Sequence, residues 1–182
     1  MNTLTKTLLG TLSLLSTITP SVLSGEQIGE YHFMTGEDFG EHGELATQLI
    51  DTLNQISVPV LDGTKNELSQ CMSKRSSILG YYSAKHDVMV ICTKDVPNWL
   101  RFETLVHETV HVIQDARDGL ENDTLDAGTS HYISTLSGDL AKKKLRLIRE
   151  SYPQSQWDIE VEAFYFETQP EVVLSELKKW AF

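Results

Sequence analysis

His107 and His111 stand four residues apart, and Glu108 directly follows the first, in the run His107-Glu108-Thr109-Val110-His111. On an α-helix four residues advance about 400°, so the two imidazoles lie one turn apart on one face and can close on a single metal ion. Glu108 sits one step round, where its carboxylate faces a water held by that metal. Such a trio suits metal-assisted attack of water on a polarised carbonyl, with the carboxylate carrying the proton.

The surrounding residues predict the helix that this spacing needs. Asp95-Val96-Pro97-Asn98 offers capping side chains and a proline tolerated in the first turn, and Gly119 marks the stop. Phe102, Leu105, Val106, Val110, Val112, Ile113 and Ala116 share one broad arc. Glu103, Thr104, His107, Glu108, His111, Gln114, Asp115 and Asp118 share the other. The histidines therefore fall on the polar side. The plain alternative is a solvated helix face that happens to carry them.

Two histidines do not complete a catalytic zinc site, which usually takes three protein ligands and leaves the fourth position to water. A third histidine six residues after the second, with glycine between, is one solution, but Gln114 and Arg117 occupy those positions. The other solution is a glutamate from a later helix. Residues 157–167 fit that role, with Trp157, Val161 and Phe164 as an apolar stripe. Glu160 neighbours Ala163 and Phe164; if buried it needs a partner, which a metal supplies. Glu162, the alternative ligand, neighbours Asp158 on what reads as the solvated side.

His-Glu-x-x-His followed by Glu160-x-x-Ala163 on a second helix resembles the gluzincin branch of the zinc metallopeptidases, across residues 78–166. The resemblance implies zinc held by His107, His111 and Glu160, with Glu108 as general base and a peptide or protein as substrate. It also implies a zincin-like fold, in which a small sheet precedes the active helix and its edge strand aligns extended peptide. The chain departs from the pattern at Phe164, four residues after Glu160, where many gluzincins carry an Asp or Asn supporting a ligand histidine. That support is expected instead from Asp115 or Glu167. The partner of a developing oxyanion is expected among His131, Tyr132 and Tyr165. A zinc-binding domain without proteolytic activity, serving regulation or partner binding, is the competing reading. Loss of Glu108 would mark it, and Glu108 is present.

The whole chain agrees with a small folded unit. Its 182 residues are 40% apolar with a mean hydropathy of -0.22, enough to bury a core and unlike a disordered segment. A net charge of -11 argues against nucleic-acid binding. The basic run Lys142-Lys143-Lys144 with Arg146 reads as the exposed side of a helix. Residues 1–24 carry Lys6, no acid and a diluted apolar stretch, followed by Pro20 and small residues near Ser24. They read as a secretory signal peptide or, alternatively, an N-terminal arm, and as too short and polar for a stable membrane span. Residues 25–182 then form a single metallopeptidase-like domain. It is secreted or periplasmic if the leader is a signal, and cytoplasmic otherwise.

Cys71 and Cys92 form one disulfide in an exported chain, or two buried thiols in a reducing compartment. Strand-like runs at 78–82 and 88–92, joined by polar residues 83–87, predict a hairpin. Helices are expected at 44–56, with Leu45, Leu49, Leu53 and Ile56 on one face, and at 126–137. After a break at Gly138, another is expected from Asp139 to Tyr152-Pro153. A last helix opens at Pro170 and packs Val173, Leu174, Leu177 and Trp180. The fold class is α+β, with a small sheet and several helices.

Overall fold

The computed structural model describes residues 31–73, 78–118 and 124–181. The expected leader at 1–24 and the helix stop at Gly119 lie outside these residues. The expected hairpin is present as β2 (Gly80–Ser83) antiparallel to β3 (Val88–Ile91), with Tyr82 opposite Met89. A 3-10 turn at Ala84–His86 joins them, and Asp87 takes the left-handed conformation that closes it, at φ 46°. A further strand, β1 (Val60–Asp62), runs parallel to β3 on its other side, giving the order β1-β3-β2. Three residues between Pro59 and Gly63 are too few for alternation to announce β1 in the sequence.

Among the described residues, seven α-helices accompany this sheet, and the fold is mixed α+β. They are α1 (Gly43–Gln55), α2 (Ser69–Met72), α3 (Asn98–Asp118), α4 (Ser130–Asp139), α5 (Lys142–Ser151), α6 (Trp157–Phe166) and α7 (Pro170–Ala181). None is long and apolar enough to cross a membrane. One core cluster joins α1, the sheet, α3 and α7 around Leu49, Leu53, Met89, Ile91, Leu105 and Leu177. A second joins α4, α5 and α6 around Ile133, Leu136, Ile148, Val161 and Phe164. Ala163 of α6 packs in the first cluster while Val161 and Phe164 pack in the second, so α6 is the wall between them.

α3 is not the half-solvated helix that its two arcs predict. Every residue from 104 to 116 is buried, polar ones included. α1, α7 and the sheet take its apolar side, while α6 and β2 cover the side bearing the histidines. A helix buried all round must satisfy its polar groups internally, and that requirement builds the site described below.

Three further expectations need correction. α4 begins at Ser130 rather than Asp126, because Asp126 Oδ1 accepts from the Gly128 amide and Gly128 adopts φ 78°, a turn that ends in the Thr129 cap. It also runs through Gly138, whose missing Cβ faces open space and forces no break. Trp180 is largely exposed on α7, leaving Val173, Leu174 and Leu177 to pack. The cysteines are joined: a Cys71–Cys92 disulfide ties α2 to the residue following β3. Such a bond is consistent with an oxidising, extracellular location.

Candidate metal centre

α3 places the His107 and His111 rings 5.1 Å apart between centroids, nearly perpendicular at 81°. Each Nδ1 meets an acceptor. His107 Nδ1 lies 3.0 Å from Glu167 Oε2, and His111 Nδ1 lies 2.8 Å from Gln114 Oε1. The Gln114 amide is oriented by its other end, since Nε2 donates to Ile159 O at 3.0 Å and to Glu162 Oε2 at 2.9 Å. An acceptor opposite each Nδ1 keeps a proton there, so in the neutral rings both Nε2 atoms carry the lone pair.

Both Nε2 atoms turn towards Glu160 on α6. Glu160 Oε2 lies 3.4 Å from His107 Nε2, and Oε1 lies 3.6 Å from His111 Nε2. Glu160 is fully buried, and neither its oxygens nor His111 Nε2 makes a hydrogen bond of good geometry. A buried acceptor left without a donor costs about 1–3 kcal/mol, and more if charged. Two imidazole Nε2 atoms and a carboxylate converging on one buried point suit a cation. One ligand atom from each of the three residues lies within 4.8 Å of the others, and the group could hold a metal ion. Two imidazoles and a carboxylate fit zinc and other first-row divalent metals.

Glu108 stays outside this donor set. Its Oε2 accepts from the Tyr82 amide of β2 at 2.9 Å, while the buried Oε1 has no partner. Burial pushes the Glu108 carboxyl above its usual range, against the opposing pull of His111 and His107. With no metal beside it, His107 is pushed up to about 10: burial resists the imidazolium, but Glu160, Glu167 and Glu108 outweigh it. For Glu167 burial again acts upward, and His107 and Lys144 overcome it to hold the carboxyl below the usual range.

Of the two expected supports, Glu167 lies against His107 and Asp115 lies elsewhere. Asp115 turns to β2, where its Oδ2 accepts from the Tyr82 hydroxyl at 2.7 Å, and Gln114 takes the place beside His111. Glu162 is not on a solvated side; it is fully buried. Arg117 donates to its two oxygens at 2.8 and 2.6 Å, and Gln114 and the Tyr132 hydroxyl add bonds of 2.9 and 3.1 Å. A carboxylate so fully engaged braces α3 against α6 and offers no oxygen to a metal. The expected oxyanion partners have contacts of their own or are exposed. Tyr132 is committed to Glu162, His131 is exposed on α4, and the Tyr165 ring packs edge-on to Phe166 at 4.9 Å.

Residues 44–182 match a family model described as "Domain of unknown function (DUF8637)". The chain belongs to the DUF8637 family. No curated protein matches the chain, and no solved structure matches it. The DUF8637 match runs from the start of α1 and takes in every side chain of the centre.

Sequence reasoning passed over four groups that this DUF8637 domain uses. Gln114 was readable, since an (i,i+3) neighbour on a helix lies beside the His111 ring. Lys144 left a weaker trace: it lies one turn from the buried Ile148, on the inner side of α5. Arg117 and the Tyr82 amide left none, because their partners Glu162 and Glu108 are brought to them only by the docking of α6 and β2.

Proposed function

We propose that this chain is a zinc-dependent endopeptidase of the gluzincin kind, with a zincin-like arrangement of edge strand and active helix. The observation that carries the proposal is the convergence of His107 Nε2, His111 Nε2 and the Glu160 carboxylate, with the unpartnered Glu108 Oε1 beside them. Zinc held there supplies Lewis acidity, acidifying water to a pKa of about 7 and polarising a peptide carbonyl. Glu108 accepts the proton of the attacking water at Oε1 and returns it to the leaving amine. The Tyr82 amide keeps Oε2 occupied, so the carboxylate presents one oxygen in one direction. Burial raises the Glu108 carboxyl above its ordinary range, which makes the carboxylate a stronger proton acceptor. The disulfide supports a secreted or periplasmic setting.

The deciding experiment replaces Glu108 by Gln in zinc-loaded protein. Zinc content and melting temperature should stay near wild type, while cleavage of an unstructured protein falls by roughly 10² to 10⁴-fold. Chelator should abolish wild-type cleavage. One observation favours a second reading, a proteolytically inert metal-binding domain: all four side chains are 2% exposed or less, as in a sealed structural site. Zinc-loaded wild type that cleaves nothing across a broad peptide library would select that reading.

A further inference from the structure

We propose that Lys144 of α5 is a positioning residue for the metal centre, fixing the His107 ring through Glu167 and Phe164 and thereby raising affinity for a divalent metal. The inference rests on the metal-centre reading above. α5 is otherwise a basic, solvated helix, with Lys142, Lys143, Arg146 and Arg149 exposed. Lys144 turns inward instead, contrary to the exposed basic run expected from the sequence. Its ammonium donates to Glu167 Oε1 and to the Phe164 carbonyl at 3.4 Å, and it lies 5.8 Å from the centroid of the Phe164 ring.

Both of those partners touch His107. The second oxygen of Glu167 lies 3.0 Å from His107 Nδ1, and the Phe164 ring meets the imidazole edge-on at 4.7 Å and 76°. The two contacts restrain different freedoms. Glu167 fixes the tautomer and the rotation of the ring about its side-chain bond, and Phe164 blocks its tilt. One cation therefore holds both restraints, so that Nε2 points at Glu160 before any metal arrives. Preorganised ligands lose less entropy when a metal binds. A cation also repels a metal ion, but Lys144 is paired with the Glu167 carboxylate, so the pair together brings no net charge to the centre.

The test compares Zn²⁺ affinity, by competition with a chromophoric chelator, for full-length wild type, Lys144→Met, Lys144→Arg, Glu167→Gln and the Lys144→Met/Glu167→Gln double variant. Lys144→Met should weaken Zn²⁺ binding about tenfold, at the lower end of the 10–100-fold usual for groups outside the ligand set. Lys144→Arg should restore most of that loss, and Lys144→Met should cost less once Glu167 is Gln than it does in wild type, the remainder being the restraint through Phe164. In ¹H–¹⁵N spectra of zinc-loaded protein the His107 Nδ1–H resonance should move in Lys144→Met, while that of His111, held by Gln114, stays in place. A residue that merely stabilised α5 would not single out one imidazole. Melting in chelator establishes that each variant is folded, and Lys144→Gln provides the same comparison if the Met variant is not. Unchanged or raised affinity in the folded Lys144 variants overturns the proposal, as does an equal loss in Lys144→Arg. Wild type that binds none of Zn²⁺, Co²⁺ or Mn²⁺ overturns the metal-centre reading itself.

Discussion

Replacing Glu160 and Glu162 by glutamine, one at a time, separates a ligand from a brace. The two are two residues apart on α6 and equally buried, yet their surroundings differ. Glu162→Gln breaks the paired bonds from Arg117. Removing one partner of a fully buried ion pair costs about 3–5 kcal/mol. The Arg117 side chain is 27% exposed and can recover some hydration, which brings the expected loss to about 2–3 kcal/mol. For a domain of this size each kcal/mol lowers the melting temperature by about 2–4 °C, so the drop is about 4–12 °C. Glu160→Gln leaves the Arg117 pair intact and removes only the carboxylate 3.4 Å from His107 Nε2, where Glu167 still faces the imidazolium, so its cost in chelator should be about 1–2 kcal/mol. The metal ranking is the reverse. Glu162 reaches His111 only through Gln114, so its loss should weaken Zn²⁺ binding about tenfold, whereas loss of Glu160 should exceed 100-fold. Calorimetry must be run in chelator, since a metal at 1,000 times its Kd adds about 4 kcal/mol to apparent stability. If Glu162→Gln loses more Zn²⁺ affinity than Glu160→Gln, or melts higher than it in chelator, the assignment of ligand and brace is wrong.

Metal uptake should be strongly pH-dependent. His107 is pushed up to about 10 without a metal, so below that pH binding must displace its proton, and Zn²⁺ affinity should rise about tenfold per pH unit towards 10. Calorimetry in buffers of different ionisation enthalpy counts the released proton, and a pH-independent affinity between about 6 and 9 would contradict the account. Reduction of Cys71–Cys92 reopens a loop with a sequence separation of 21, which should cost about 3 kcal/mol and about 6–12 °C of melting temperature. A shift under about 2 °C on reduction would show that the bond contributes little. Gly80→Ala would place a Cβ 2.7 Å from both Thr104 Cγ2 and the Val90 carbonyl, so β2 must move off α3 at a cost of about 1–3 kcal/mol. An unchanged melting temperature would refute that close approach.

The parts of this molecule legible in its sequence are those whose signals are local. The 107–111 spacing on a helix, the hairpin, α1, α6 and α7 all follow from periodicity and end signals over about a dozen residues. What periodicity cannot report is which face of a helix another element covers. The polar arc of α3 reads as solvated because its residues are polar, and from Thr104 to Asp115 it is buried, with α6 and β2 bringing partners to Glu108, His111, Gln114 and Asp115. Glu162 illustrates the same limit. Its neighbour Asp158 made that side look wet, while Arg117, 45 residues away in sequence, neutralises it inside. Lys144 looked like one cation in a solvated run, and only the docking of α5 on α6 gives it Glu167.

The centre takes both imidazoles from α3 and its carboxylates from a much later stretch, with His107 and Glu167 separated by 60 residues. Closing a loop of that length costs chain entropy that a single ion pair does not offset. The carboxylates therefore reach the imidazoles only as α6 docks between the two core clusters, a non-local step. A partly made chain ending within α4 would hold two loosely set imidazoles and bind a metal weakly. Tight metal capture would then report on completed assembly: the ion locks a finished fold and cannot seed an early one.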